Sequence, residues 1–113
     1  MKLEAEYLDT ILDYCGKIQS DIEFFGDSEE FLENERYQRA VTFCLLQIGE
    51  VVKHLRDSFG NRYSDKYWKK IAGLRDVVCH GYESVDQAII WTVIEKDIPE
   101  LVEKCKAIKG DSE

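Results

Sequence analysis

The chain has 113 residues, of which 44% are hydrophobic and 34% charged, a balance typical of a folded globular protein and not of a disordered one. Its length is that of one ordinary domain, so we expect a single domain over residues 1–113. A net charge of −8 disfavours nonspecific binding to nucleic acid, because phosphates attract cations. No apolar run approaches the roughly 18 residues that a membrane span needs.

The beginning of the chain and the cysteines indicate a cytoplasmic protein without a metal site. The first residues, MKLEAEYLD, carry acids where a secretion signal would have a basic and then an apolar stretch. The cysteines are too far apart for paired metal ligands, and each falls in an apolar stripe. We therefore predict buried free thiols at all four positions, which are Cys15, Cys44, Cys79 and Cys105.

Hydrophobic residues recur at three- and four-residue steps along the first half of the chain, which predicts two long helices. The first carries a stripe from Leu3 to Ile22 and is expected to stop near Gly26. Ser28 is a candidate cap for the second, whose stripe from Tyr37 to Leu55 ends before Gly60. Two helices of over twenty residues joined by a short connection should pack antiparallel.

The second half of the chain predicts shorter helices separated by turn and capping signals. Ser64 and Asp65 are expected to open a third helix that stops at Gly81. Ser84 and Gln87 have the spacing of a capping box for a fourth helix. Asp97 is the expected cap of a fifth helix, with Pro99 in its first turn. The predicted fold is therefore all-α, a four- to five-helix up-and-down bundle, with Trp68 and Trp91 expected in its core.

Basic residues are concentrated between Lys53 and Arg75 despite the acidic composition. This window holds seven Lys or Arg against two Asp and is therefore +5, while the remaining residues have 8 basic and 21 acidic side chains, or −13. A basic segment of this kind suits an anionic substrate, although a solvated helix face would look the same.

The segment LRDVVCHGY, residues 74–82, places Arg75 and His80 five residues apart. Regular helical geometry would leave the two side chains about 140° apart, so they converge only if the helix ends near Gly81. Arginine offers a planar fork of donors to phosphate oxygens, and histidine titrates near neutral pH. The pair therefore suits metal-independent cleavage of RNA, in which the ribose 2′-hydroxyl attacks the adjacent phosphate. Such a reaction needs both an acid and a base, and a symmetric dimer would supply two copies of the histidine.

The segment WKKIAGLRDVVCHGYESVDQAIIWTVIEKDIPEL, residues 68–101, closely resembles the HepT family of toxins in the MNT–HEPN (MntA–HepT) type of toxin–antitoxin system. The stretch LLQIGEVVKHL, residues 45–55, is also similar to that family. The family's R-x4-H-x-Y motif is present as Arg75, His80 and Tyr82.

The resemblance implies a HEPN fold, a homodimer with the active cleft at its interface, and metal-independent endoribonuclease activity without a cofactor. It further implies that Arg75 and His80 are catalytic and that a cognate nucleotidyltransferase antitoxin silences the toxin, in a type VII system, by adenylylation (AMPylation) of Tyr82. Asp76 follows the arginine where many HEPN ribonucleases have asparagine, which bears on rate or substrate choice.

Several residues are candidate contacts to RNA or the cleft besides the catalytic pair, namely Asp76 and the basic residues Lys53, Lys69 and Lys70. Glu50 and Lys53 lie three apart on the second helix, a spacing that favours an exposed ion pair over a role in the cleft. Two other functions remain open at this point. The protein could be a non-catalytic module that binds nucleotide or RNA beside a nucleotidyltransferase, or a helical scaffold, and the net acidity favours either of these.

Overall fold

The computed structural model describes residues 3–78 and 86–112, together with their side chains except at positions 111 and 112. The described chain is helical almost throughout and contains no strand. Its helices are α1 (Glu4–Phe25), α2 (Ser28–Glu33), α3 (Glu35–Phe59), α4 (Lys66–Ala72), α5 (Gln87–Thr92) and α6 (Ile98–Ser112). The all-α prediction is therefore confirmed.

The two long helices, α1 and α3, pack antiparallel as predicted. At one end, the ring of Tyr7 on α1 stacks on His54 near the end of α3, with ring centroids 6.0 Å apart. At the other end, the hydroxyl of Tyr37 on α3 donates a 2.7 Å hydrogen bond to the carbonyl of Gly26. Between these contacts the apolar stripes of the two helices meet in one buried cluster, to which the other helices add.

The sequence prediction of one helix from Ser28 to the residue before Gly60 is wrong in its first part. The chain breaks at Asn34, whose backbone is extended and whose side chain accepts a hydrogen bond from the Tyr37 N–H. Asn34 thereby caps α3 and ends α2, because its side chain competes with the helical backbone. Asp27, and not Ser28, caps α2 by accepting from the Glu29 N–H.

The third predicted helix is also interrupted. Asp65 caps α4 as expected, by accepting a hydrogen bond from the Trp68 N–H, but α4 ends at Ala72. A turn at Gly73 follows, and residues 74–78 are again helical. The predicted stop at Gly81 lies outside the described residues.

The starts of the last two predicted helices are corrected by the structure. Asp86 caps α5 by accepting from the Ile89 N–H, which makes Gln87 the first residue of the helix and not the third, as a capping box with Ser84 would require. Ser84 itself lies outside the described residues.

Asp97 does not cap a fifth helix, because α5 continues through a π-helical turn, Val93–Asp97, directly into α6. The Ile98 N–H donates to the carbonyl of Val93 in this turn. We attribute the wide turn to Pro99, since a proline within a helix crowds the carbonyl four residues earlier, here that of Glu95.

The tryptophans separate into two environments. Trp68 is buried, with 3% of its surface exposed, and Tyr63 and Tyr67 pack edge-on against its ring. Trp91 is half-buried and packs on Phe31 of α2, with ring centroids 5.4 Å apart. Both residues belong to the core, as predicted, but Trp91 lies at its edge.

Candidate functional site

Arg75 lies on the helical turn after Gly73, beside α3. Its side chain is 61% exposed, and its Nη1 atom lies 3.9 Å from Oε1 of Glu50. The turn at Gly73 and the close approach of α3 and α4 produce this proximity. A Cβ atom at Gly49 would lie 3.4 Å from the carbonyl oxygen of Ile71, which is contact distance, so the two helices pack closely at this position.

Lys53 lies one helical turn after Glu50 on α3 and approaches the same carboxylate. Its Nζ atom is 3.5 Å from Oε1 of Glu50. The ion pair expected from the three-residue spacing therefore exists, but it is shared with Arg75. Arg75 and Lys53 were both predicted to act on RNA, and the structure brings them together at Glu50. From the sequence, Glu50 was favoured only as the partner of Lys53 in an exposed ion pair.

A shallow pocket of about 250 Å³ lies at this place and is lined by Leu46, Gln47, Glu50 and Arg75. The Glu50 side chain as a whole is 45% exposed. Its Oε1 atom is nevertheless covered and accepts no hydrogen bond from the described residues. We call the three charged residues Glu50, Lys53 and Arg75 the Arg75 cluster.

The other predicted basic contacts are placed differently. Lys70 pairs with Asp97, with a nitrogen–oxygen distance of 3.1 Å, so its charge is directed to the π turn. Lys69 is exposed on α4, and Asp76 is exposed beside Arg75. His80 and Tyr82 lie outside the described residues.

The basic window from Lys53 to Arg75 does not form one continuous cationic surface. Arg56 donates a 2.9 Å hydrogen bond to the carbonyl of Tyr63, and Arg62 lies 3.5 Å from the Glu4 carboxylate. These two arginines hold the connection between α3 and α4. Lys53 and Arg75, by contrast, both approach the Glu50 carboxylate beside the pocket.

His54 and the thiols provide no second catalytic centre among the described residues. His54 is exposed and stacks on Tyr7, so it is a surface histidine. Burial raises the pKa of the Cys15 and Cys105 thiols to about 12, which disfavours their reactive thiolate forms. The prediction of buried free thiols is confirmed for Cys15, Cys44 and Cys105, whereas Cys79 lies outside the described residues.

Comparison with known proteins assigns the chain to a family. The model of the family described as "Ribonuclease HepT-like" matches residues 11–108. The chain belongs to the HepT-like family. The family model covers the described helices except the beginning of α1 and the end of α6, and it includes Arg75 and the positions of His80 and Tyr82.

Relatives of this HepT-like protein carry names of the same kind. It is 38% identical over 108 residues to "Putative RNase TTE0752" of Caldanaerobacter subterraneus subsp. tengcongensis, an alignment that covers 96% of each chain. It is 36% identical to "Putative RNase MJ0127" of Methanocaldococcus jannaschii, over 91% of this chain and 90% of the relative.

A third relative of the HepT-like protein, "Probable ribonuclease HepT" of Thermococcus cleftensis, is 32% identical and aligns over 72% of this chain and 74% of its own length. No solved structure matches the chain. Among the described helices, none is both long enough and apolar enough to cross a bilayer.

Proposed function

We propose that this HepT-like protein is a metal-independent endoribonuclease and acts as the toxin of a type VII toxin–antitoxin system. The observation that carries the proposal is the exposed Arg75 in a groove beside Lys53, in a chain whose family and relatives are named for ribonucleases. Arg75 begins the R-x4-H-x-Y motif, with His80 and Tyr82 at its other positions.

In the proposed reaction, a His80 imidazole accepts the proton of a ribose 2′-hydroxyl, and the oxygen attacks the adjacent phosphorus. The bond from phosphorus to the 5′-oxygen breaks, and a second His80, from the partner subunit of a homodimer, protonates that leaving oxygen. Arg75 donates hydrogen bonds to the non-bridging oxygens as their negative charge increases. The products are a 2′,3′-cyclic phosphate and a 5′-hydroxyl.

The proposed dimer supplies the acid and the base that one chain with one motif histidine lacks. Its cleft would include residues 74–78 and the following motif of both subunits. Val77, next to Arg75 and Asp76, is 37% exposed and supports an apolar contact here. Trp68 is buried in the core and contributes nothing to this surface. The proposed unit is one domain over residues 1–113.

The proposed antitoxin is a nucleotidyltransferase that transfers AMP from ATP to the Tyr82 hydroxyl. The transfer forms a phosphodiester on the phenolic oxygen and releases pyrophosphate. The added negative charge and the bulk of the nucleoside would oppose entry of an RNA phosphate near Arg75. We expect the toxin and its antitoxin to act in the cytoplasm, because the RNA substrate is located there.

The net charge of −8 favours a second candidate, a non-catalytic module that binds RNA or nucleotide through the same arginine beside a nucleotidyltransferase. The two candidates differ in whether bound RNA is cut. Catalysis requires His80, whereas binding alone requires only the cations.

The test is cleavage of a labelled RNA by purified protein with and without EDTA, followed by analysis of the product ends. Arg75→Ala and His80→Ala should abolish cleavage, whereas Arg39→Ala and His54→Ala, which remove exposed residues of the same types from α3, should retain it. RNA that is bound but remains intact would favour the binding module. Activity that is lost with EDTA and restored by magnesium would contradict the metal-independent reaction.

A further inference from the structure

The Arg75 cluster brings two cations to one oxygen atom. Lys53 Nζ lies 3.5 Å and Arg75 Nη1 lies 3.9 Å from Oε1 of Glu50. The two cations come from different parts of the chain, one from α3 and one from the turn after Gly73. Arginine and lysine are both side chains with which proteins bind phosphate, arginine through its planar fork of donors and lysine as a point charge.

The carboxylate is held loosely in this position. Neither contact is a hydrogen bond, since Oε1 accepts none from the described residues although it is covered. The side chains of Lys53 and Arg75 are 47% and 61% exposed, so solvent screens the attraction. Displacing Glu50 from the two cations therefore costs little, and their N–H donors remain available to another acceptor.

A phosphate could make the hydrogen bonds to Lys53 and Arg75 that the Glu50 carboxylate does not make. Its oxygens can accept hydrogen bonds from the fork of the Arg75 guanidinium and from the Lys53 ammonium at once. The pocket beside the cluster, lined by Leu46, Gln47, Glu50 and Arg75, leaves room for the group that carries the phosphate. Oε1 of Glu50 therefore occupies the position of a phosphate oxygen, but at distances from the two cations that are too long for hydrogen bonds.

We propose that Lys53 and Arg75 together bind one backbone phosphate of the RNA, and that Glu50 is an internal competitor that occupies this site until RNA displaces it. The inference rests on the proposed ribonuclease function and deepens it, because it assigns Lys53 to the same phosphate as Arg75 and gives Glu50 a role that opposes binding. Arg75 is thereby kept beside α3 in the absence of substrate, and an RNA must displace the carboxylate to engage it.

The experiment measures binding of a fully 2′-O-methylated RNA, which lacks the attacking hydroxyl and so reports affinity without cleavage. Glu50→Gln keeps the shape but removes the competing charge, and we expect it to tighten binding about two- to fivefold, as befits an exposed pair. Lys53→Gln should weaken binding and reduce the salt dependence of the affinity by about one phosphate contact. In the double variant, Glu50→Gln should have a smaller effect, because one of the cations that it frees is gone.

The ion pair between Asp13 and Lys17 on α1 provides matched controls. It is also an exposed pair within one helix, so Asp13→Asn and Lys17→Gln make the same charge changes away from Arg75. Both controls should bind the RNA as the wild type does, apart from a uniform shift due to net charge. Circular dichroism of each variant checks that the helical fold is retained.

The outcomes separate this inference from the proposed function. Wild-type protein that neither binds nor cuts RNA overturns the ribonuclease proposal and this inference with it. Wild-type protein that cuts RNA, while the Glu50 and Lys53 variants behave like their controls, overturns the inference alone. Weaker binding by Glu50→Gln would also overturn it, because Glu50 would then assist binding.

Discussion

Lys70 and Asp97 form an ion pair with a nitrogen–oxygen distance of 3.1 Å, although they lie 27 residues apart in the chain. The Asp97 side chain is only 11% exposed, whereas that of Lys70 is 59% exposed. The Tyr67 hydroxyl also donates a 2.9 Å hydrogen bond to the backbone carbonyl of Asp97. Together these contacts join α4 to the π turn, two elements that lie before and after the R-x4-H-x-Y motif in the sequence.

We expect Asp97→Ala to lower the free energy of unfolding by about 1–2 kcal/mol, because it removes a charged hydrogen-bond acceptor from a nearly buried position. Asp97→Asn retains an acceptor oxygen and should cost less. Lys70→Ala should cost less still, since the ammonium is largely solvated. Urea unfolding followed by circular dichroism measures all three, and equal losses in the three variants would contradict this order.

The proposed switch at Tyr82 is tested by Tyr82→Phe, which removes the phenolic oxygen and little else. This variant should keep most of its ribonuclease activity but should escape inactivation by the nucleotidyltransferase and ATP. Intact mass and RNA cleavage are measured before and after incubation with the partner, using wild-type protein as the control. If Tyr82→Phe still gains the mass of AMP and loses activity, Tyr82 is not the modified residue.

We expect a homodimer in solution at micromolar concentration, because the proposed reaction uses a His80 from each subunit. Light scattering measures the mass directly, and Val77→Asp, which places a charge at the expected contact, should shift it toward the monomer and reduce cleavage. A stable wild-type monomer with full activity would remove the argument for two histidines.

The buried thiols predict loss of stability in alkaline solution. Burial raises the pKa of Cys105 from 9.0 to about 12, and that of Cys44 to about 11, so the folded state keeps protons that the unfolded chain releases. This stabilisation is complete below pH 9 and is lost as the pH rises toward these values. Between pH 9 and 10.5, the free energy of unfolding should fall more steeply in wild-type protein than in Cys105→Ala, by up to about 1.4 kcal/mol per pH unit. Urea titrations over this range measure the slopes, and identical slopes would contradict the prediction.

Two glycines should respond in opposite ways to alanine. Gly16 lies in the interior of α1, and a side chain there would meet nothing within 4 Å, so Gly16→Ala should stabilise the protein by about 0.5–1 kcal/mol. Gly26 has a φ of 120°, which alanine rarely adopts, and Gly26→Ala should be destabilising. Thermal unfolding of the two variants provides the comparison, and a loss of stability in Gly16→Ala would contradict the argument.

The antiparallel pair of long helices could be predicted from the sequence because its apolar residues recur regularly over more than twenty positions. The interruptions could not. Asn34 lies between residues that continue the helical pattern, and only the hydrogen bond of its side chain to the Tyr37 N–H shows that it ends one helix and begins the next. Pro99 correctly indicated a local departure from regular helix, but the chain responds with a wider turn where a break was expected.

The site shows a similar division. Arg75 and Lys53 were recognisable as candidate RNA contacts from their types and from the family resemblance. Their meeting at Glu50 depends on the turn at Gly73 and on the close packing beside Gly49, which are three-dimensional features. The only indication of this meeting in the sequence is Glu50, one helical turn before Lys53, and the same spacing is found in ordinary surface ion pairs.

The π turn at Val93–Asp97 also affects how this chain can tolerate changes in length. A π turn holds one residue more than an α-helical turn, so it takes up that residue without rotating the helix that follows. Beyond it, Leu101 and Cys105 are both fully buried. Loss of one residue from α6 before these positions would rotate them by about 100° and turn their side chains out of the core. Loss of one residue from the π turn would leave the side chains of Leu101 and Cys105 directed into the core. This turn is therefore a place where related chains can differ in length by one residue.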